Sequence, residues 1–469
     1  VNTQLALLLA YSAALVILGL WIGRRVRSSG SFFVAERRLG PVLIFATILA
    51  ANIGAGSTVG AASLGYRDGL AAWWWVGSAG LGTVFLAVWL GPRMWRVAKK
   101  HDLKTVGDYL ELRYGASVRA LVAALLWVGT LAILAGQLIA MAWVLNAVAG
   151  IPKLAGCLLG GVAMTIYFTA GGLLTSAWVN LVQLVVLLVG FAVALPLALS
   201  GLGGWEALAT TAPTEDYWNF TRGGTSGWVF VPLLVPAFLI SPGLLQKVYG
   251  ARDPRAVRLG VGAAGAVLLI FAALPPLLGM IARAQHPGLE SPDLALPTLL
   301  AQSLPPAIGL LGLAAVFSAE LSSADAILFM LATSLSQDLY RRFLRPRAND
   351  REVLLVARVA AVAGGVLGVL LAIRLPTVIS SLTIFYALLS VSLFVPVVAG
   401  LQGRRAGLPE AFAALGSGLG TMVWVHLATD GRGFGPASPT LVALVVSALG
   451  FFTVLAVRSR WAAERSRTP

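Results

Sequence analysis

Apolar runs of about 18 or more residues, bounded by charges or by Gly and Pro clusters, recur along almost the whole chain. Each is long enough to cross a bilayer core of about 30 Å as a helix. The pattern predicts thirteen spans, at 3–23, 40–65, 69–98, 118–148, 151–170, 175–200, 228–249, 256–283, 305–338, 352–373, 376–401, 407–428 and 437–457. Two of them break the smooth helical pattern. The second is interrupted at Asn52-Ile53-Gly54-Ala55-Gly56-Ser57-Thr58 and the seventh at Ser241-Pro242-Gly243, each about fourteen residues in. Matching breaks separated by an odd number of spans are what an inverted repeat of five plus five helices requires. Unwound backbone inside a membrane frees carbonyls and amides, which bound ions or solute can satisfy. The plainer alternative is that Gly54 and Gly56 only permit close helix packing, as the Gly-rich stretches at 77–82 and 364–368 are read to do.

The expected organisation is a first helix and loop over 1–39, a first five-helix repeat over 40–200 and an outer loop over 201–227. A second, inverted repeat follows over 228–401, then two peripheral helices and a short tail over 402–469. Composition supports an all-α polytopic membrane protein. Hydrophobic residues make up 58% and charged residues 11%, against about 25% charged in a soluble domain. Lipid is the main solvent.

A net charge of +15 raises nucleic acid as a partner, so the placement of the cations decides. With the N-terminus outside, predicted cytoplasmic segments hold 27 of the 34 Lys and Arg, Lys247 to Arg258 and Arg93 to Arg119 among them. The outer loops hold six, and Arg358 falls within a span. That is membrane topology, with lipid as partner, and nucleic-acid binding is not expected. The first apolar run lacks a basic segment before it and precedes Arg24, Arg25 and Arg27, so it reads as a span and not a signal peptide. The single Cys157 and the scattered His101, His286 and His426 give no metal-ligand spacing. No nucleophile with its base is evident either, so an enzyme is not expected.

Five blocks carry a resemblance to a known family: FFVAERRLGP (32–41), ATILAANIGAGSTVGAASLGY (46–66), YFTAGGLLTSAWVNLVQ (167–183), LLQKVYGARDPRAVR (244–258) and LAAVFSAELSSADAILFMLATSLSQDLYRR (313–342). In order, spacing and sidedness they resemble the sodium:solute symporter family, which includes sodium-coupled sugar, proline, pantothenate and monocarboxylate carriers. The resemblance implies a LeuT-like inverted-repeat fold and alternating access coupled to sodium, while the basic, Arg-rich and nearly Cys-free composition suggests a bacterial plasma membrane. The resemblance also implies a sodium ion held by the backbone carbonyls of Ala50, Ile53 and Ala319 and the hydroxyls of Ser322 and Ser323. Such neutral oxygens suit a hard cation that takes about five or six of them. Taken alone, a serine in a membrane helix often bonds back to its own preceding turn.

The sequence departs from the family at Asn180, where many members have an acid, and Asp325 instead lies two residues after Ser323. Two readings stand. Either Asp325 replaces that acid and neutralises a cation near Asn180, Ser322 and Ser323, or it pairs with Arg358 or faces a vestibule. Glu320, about 100° around the helix from Ala319, reads as a structural ion pair or as part of a proton-coupled cycle. A buried acid costs about 2.5–3.5 kcal/mol on insertion scales, so both invite a role.

The solute is expected at the midplane, facing the breaks, with Asn52, Gly54, Gly56, Ser57, Ser241 and Gly243 as contacts. Amides at a half-helix N-terminus favour a carboxylate or zwitterion. Of Trp73, Trp74 and Trp75, at most Trp75 is expected to line the cavity, since Trp concentrates at interfaces. Gln137 is a solute ligand or a helix-to-helix hydrogen bond. The expected function is sodium-coupled symport of a small organic solute, for which a monomer suffices. A proton-coupled symporter of the same fold and a transporter-like sensor are the alternatives. A sensor needs an output domain, and only about a dozen residues follow the last span.

Overall fold

The computed structural model describes residues 37–169, 173–223, 226–402 and 406–465, with a few positions between 6 and 17. The side chains of 166–169, 173–180, 325 and 462–465 also lie outside the described residues. Most of the expected 3–23 span therefore falls outside them, as do the side chains of Asn180 and Asp325.

Among the described residues the chain is helical without a named strand, and ten helices are long and apolar enough to cross a membrane. Two shorter apolar helices, Pro41–Asn52 and Lys153–Thr165, add to them. One continuous helical stretch, Gly56–Lys100, covers parts of two expected spans. Gly69 divides it. Its φ of +74° ends the Ala61–Asp68 helix, and an added Cβ would lie 2.0 Å from the Tyr217 carbonyl, so no larger residue fits that turn.

Both expected breaks are present. The Pro41–Asn52 helix stops where Ile53 turns extended (φ −103°, ψ 103°), and the chain resumes at Gly56 in a wide helical turn before Ala61–Asp68. The Val231–Ile240 helix stops at Ser241 (ψ 123°), and Pro242 starts the Pro242–Tyr249 helix. Proline suits that first position because its missing N–H has no partner to lose there. Ala116–Ala149, Pro306–Thr333 and Val378–Gln402 pack around these breaks, while Leu408–Ala428 and Pro439–Arg465 pair with each other at the periphery.

Candidate functional site

At the first break the helix ends at Asn52, so carbonyls of its last turn lack a following turn to bond. Two hydroxyls from Pro306–Thr333 meet them. Ser322 Oγ lies 3.2 Å from the Ala50 carbonyl and 3.0 Å from that of Ala319, and Ser323 Oγ lies 3.2 Å from Ala50 and 3.0 Å from Ile53. All five residues are buried. Each hydroxyl has one hydrogen to share between two carbonyls. Such a group of neutral oxygens is of the type that a hard cation takes as ligands. The five residues expected to bind sodium are thus gathered at one point from positions about 270 apart in sequence.

The break is held open by its neighbours. Gln137 accepts from the Ala55 amide at 2.9 Å, Ser57 donates to the Asn52 carbonyl at 2.7 Å, and Asn52 donates to Thr83 at 3.0 Å. Gly54 is where the two helices touch, since an added Cβ would lie 2.2 Å from Ser323 Oγ and 2.5 Å from Ser323 Cβ. Thr58 Oγ1 lies 2.8 Å from Glu320 Oε1 and 3.0 Å from the Gly54 carbonyl. Glu320 is fully buried, and among the described residues no ion pair accompanies it. Among the described residues its side-chain partner is Thr58, through a hydrogen bond.

A cavity of about 50 Å³ lies between the breaks, walled by Asn52, Ser241, Gly243, Phe238, Met330, Tyr386 and Lys247 among others. Small-molecule sites usually enclose about 300–1,000 Å³, so the walls must part to admit an organic solute. Of the expected contacts, Asn52, Ser241 and Gly243 line it. Gly54, Gly56, Ser57, Trp75 and Gln137 lie off its wall and support the break instead. Trp75 packs edge-on against Phe230 at 5.0 Å and Tyr386 at 6.0 Å, and Tyr386 meets Phe238 at 5.3 Å, roofing the cavity with rings.

Lys247 is the residue that sequence reasoning missed. Counted there with a basic loop, it is 1% exposed and sits in the cavity wall one turn after Gly243. The spacing of four from Gly243 on a helix starting at Pro242 was the available signal. Arg119 was misread in the same way. It is 6% exposed, bonded to Asp338 at 2.7 Å, Asp108 at 2.8 Å and Glu111 at 2.8 Å, while Arg342 also reaches Glu111. Asp108 simultaneously caps the Val106–Tyr114 helix through Thr105, and Thr105 Oγ1 donates to Asp338 at 2.6 Å. The cluster closes the basic face. A small void of about 30 Å³, which shares Met330 with the cavity, separates the two.

Partial burial pushes the Glu111 carboxyl up, but hydrogen bonds from Arg342 and Arg119 outweigh it and hold the carboxyl below its usual range. The contribution of Glu111 to stability is therefore full above its unfolded value of about 4.3 and falls away as pH drops through the lowered folded value. Melting temperatures measured from pH 7 to below 4 should fall more steeply for the wild type than for Glu111→Gln. Parallel curves would show that the cluster contributes nothing.

Two interrupted helices that turn their breaks toward one polar centre, inside an all-helical membrane bundle, define a secondary transporter. The chain belongs to the sodium:solute symporter family, whose model matches residues 32–418. The sodium/pantothenate symporter of Escherichia coli strain K12 is 30% identical over 94% of each chain. The human sodium/iodide cotransporter is 25% identical over 87% of this chain and 67% of that protein. In fold, the chain is similar to a Na+-coupled sialic acid symporter solved in a substrate-bound outward-open state. The TM-score is 0.78 at 18% identity, covering 97% of this chain and 98% of the other. The protein is a multi-pass membrane transporter of LeuT-like fold that couples sodium to a solute, and it is not an enzyme.

Proposed function

We propose that this symporter carries a small carboxylate, held near Lys247, with one sodium ion bound by Ala50, Ile53, Ala319, Ser322 and Ser323. The observation that carries the solute class is a lysine 1% exposed in a cavity between the two breaks. The Lys247 ammonium in the cavity wall and the amides of the Pro242–Tyr249 N-terminus both favour an anionic group such as a solute carboxylate there. The Escherichia coli relative is named for pantothenate, which carries a carboxylate.

The same reading includes thirteen spans in two five-helix inverted repeats with peripheral additions. It puts the basic face in the cytoplasm, the N-terminus outside and the protein in the plasma membrane. The Arg119 cluster then closes the cytoplasmic side, and the Trp75–Tyr386 roof closes the outer one. Alternating access opens one while the other stays shut. Asp325 serves in this reading as a second anchor for the cation, and an unchanged sodium half-saturation in Asp325→Asn would remove that role.

Uptake into proteoliposomes under an inward sodium gradient, screened over monocarboxylates, pantothenate, amino acids and sugars, tests the solute class. Carboxylates are expected to compete and sugars not. Lys247→Gln should raise the KM for the carboxylate by about ten- to thirty-fold, because an unscreened partner is lost from a buried site. A sugar transported with normal sodium dependence, or a KM unmoved in Lys247→Gln, would sink the carboxylate reading.

A further inference from the structure

We propose that a basic pocket at the Arg-rich face binds the phosphate of an anionic phospholipid and thereby steadies the neighbouring ionic closure. The pocket encloses about 500 Å³, and its walls include Arg96, Lys100, His101 and Arg113 with no acidic side chain among its lining residues. The basin beside it differs. There Asp102, Asp108 and Glu111 stand among the cations and pair with Arg37, Arg119 and Arg342. Arg96 and Lys100, both exposed, bring positive charge to a concavity with no acid among its lining residues, and an anionic ligand can neutralise it.

The depth of the pocket selects the ligand. Arg93 lies over the Trp89 ring at 5.7 Å and Lys99 over the Trp95 ring at 5.0 Å, on the helical stretch that also carries Arg96 and Lys100. Tryptophan rings and cations paired in this way mark the membrane–water interface. One to three turns earlier, Phe85 and Val88 are 49% and 64% exposed, as suits side chains that face hydrocarbon. The pocket therefore sits at headgroup level, and basic pockets between membrane helices at that level take phospholipid headgroups. Leu112 and Leu401 in its wall offer apolar contact to the glycerol and the first chain carbons.

The link to the closure is the Val106–Tyr114 helix. It presents Arg113 to the pocket and Asp108 and Glu111 to Arg119. A phosphate on Arg113 restrains the same two turns that hold the cluster shut.

The test compares two double variants with equal loss of charge. Arg96→Gln with Lys100→Gln removes two pocket cations, and Arg93→Gln with Lys99→Gln removes two from the surface beside it. All four positions are exposed, so folding is not at stake. Binding of short-chain phosphatidylglycerol to the purified full-length protein is followed by thermal shift. The pocket variant should bind about thirty-fold more weakly, some five-fold for each basic residue, and the surface variant close to the wild type. Equal weakening in both variants would reduce the effect to general surface charge and overturn the site. Inorganic phosphate that stabilises the protein as strongly, through the same residues, would overturn the lipid assignment. Sodium-driven uptake should be faster in phosphatidylcholine–phosphatidylglycerol vesicles than in pure phosphatidylcholine for the wild type and indifferent in the pocket variant. Lipid dependence preserved in the pocket variant would overturn the link to the closure.

Discussion

Replacing Ser322 and Ser323 together by alanine should abolish sodium-dependent uptake across the accessible concentration range. The two hydroxyls make three contacts that join the Pro306–Thr333 helix to the break at Ile53, and Ser322 makes a fourth to Ala319 in its own helix, all at 3.0–3.2 Å. Hydrogen-bonding groups that face a charge are worth about 1.5–3 kcal/mol each. Loss of one thus raises the sodium half-saturation roughly ten- to hundred-fold, and loss of both moves it beyond physiological sodium. The carbonyls of Ala50 and Ile53 remain, but they would face methyl groups. Thermal shift in sodium against choline chloride separates binding from turnover. Wild-type protein should melt higher in sodium, by linkage, and the double variant identically in both salts. A sodium-specific shift retained in the double variant would move the ion elsewhere.

Gly54→Ala is expected to be nearly as damaging, although it adds one methyl group. The new Cβ would meet Ser323 Cβ at 2.5 Å and Gln137 Oε1 at 2.9 Å. A serine hydroxyl can rotate away, but its Cβ is fixed to the backbone, so the two helices must separate. Overpacking of this kind costs about 1–3 kcal/mol of stability, which the bundle can survive. The oxygen cluster cannot, because separation draws Ser323 from both of its carbonyls. Sodium affinity should therefore fall far more than the melting temperature. Gly420→Ala is the matched control, since nothing lies within 4 Å of its added Cβ. A Gly54→Ala protein with normal sodium half-saturation would show that the contact is not rigid.

Much of the architecture was legible because membrane helices must satisfy their own backbone, so any Gly or Pro interruption at the midplane stands out against an apolar background. Both breaks lie where Ile53 and Ser241 were expected to interrupt their spans. The serine pair and its three carbonyls were legible through the resemblance of blocks 46–66 and 313–342. Their convergence was not, since nothing local in either block shows which faces meet.

Lys247 and Arg119 mark the limit of such reading. In one dimension each belongs to a basic run between apolar spans, and a solvated loop is the natural reading. In three dimensions Lys247 lines the cavity between the breaks, and Arg119 is paired with Asp338 from 219 positions away. Gln137 shows the reverse case, where a residue weighed as a solute ligand supports the Ala55 amide.

By itself, then, the sequence determined the membrane class, the two interruptions, the distribution of basic residues and the family. Each of these follows from composition, period or local backbone chemistry. Only the tertiary structure decided which oxygens share a point, which polar groups line the cavity and which cations are buried. Those depend on contacts between helices hundreds of residues apart, and hydropathy along the chain carries no record of what a side chain meets across the bundle.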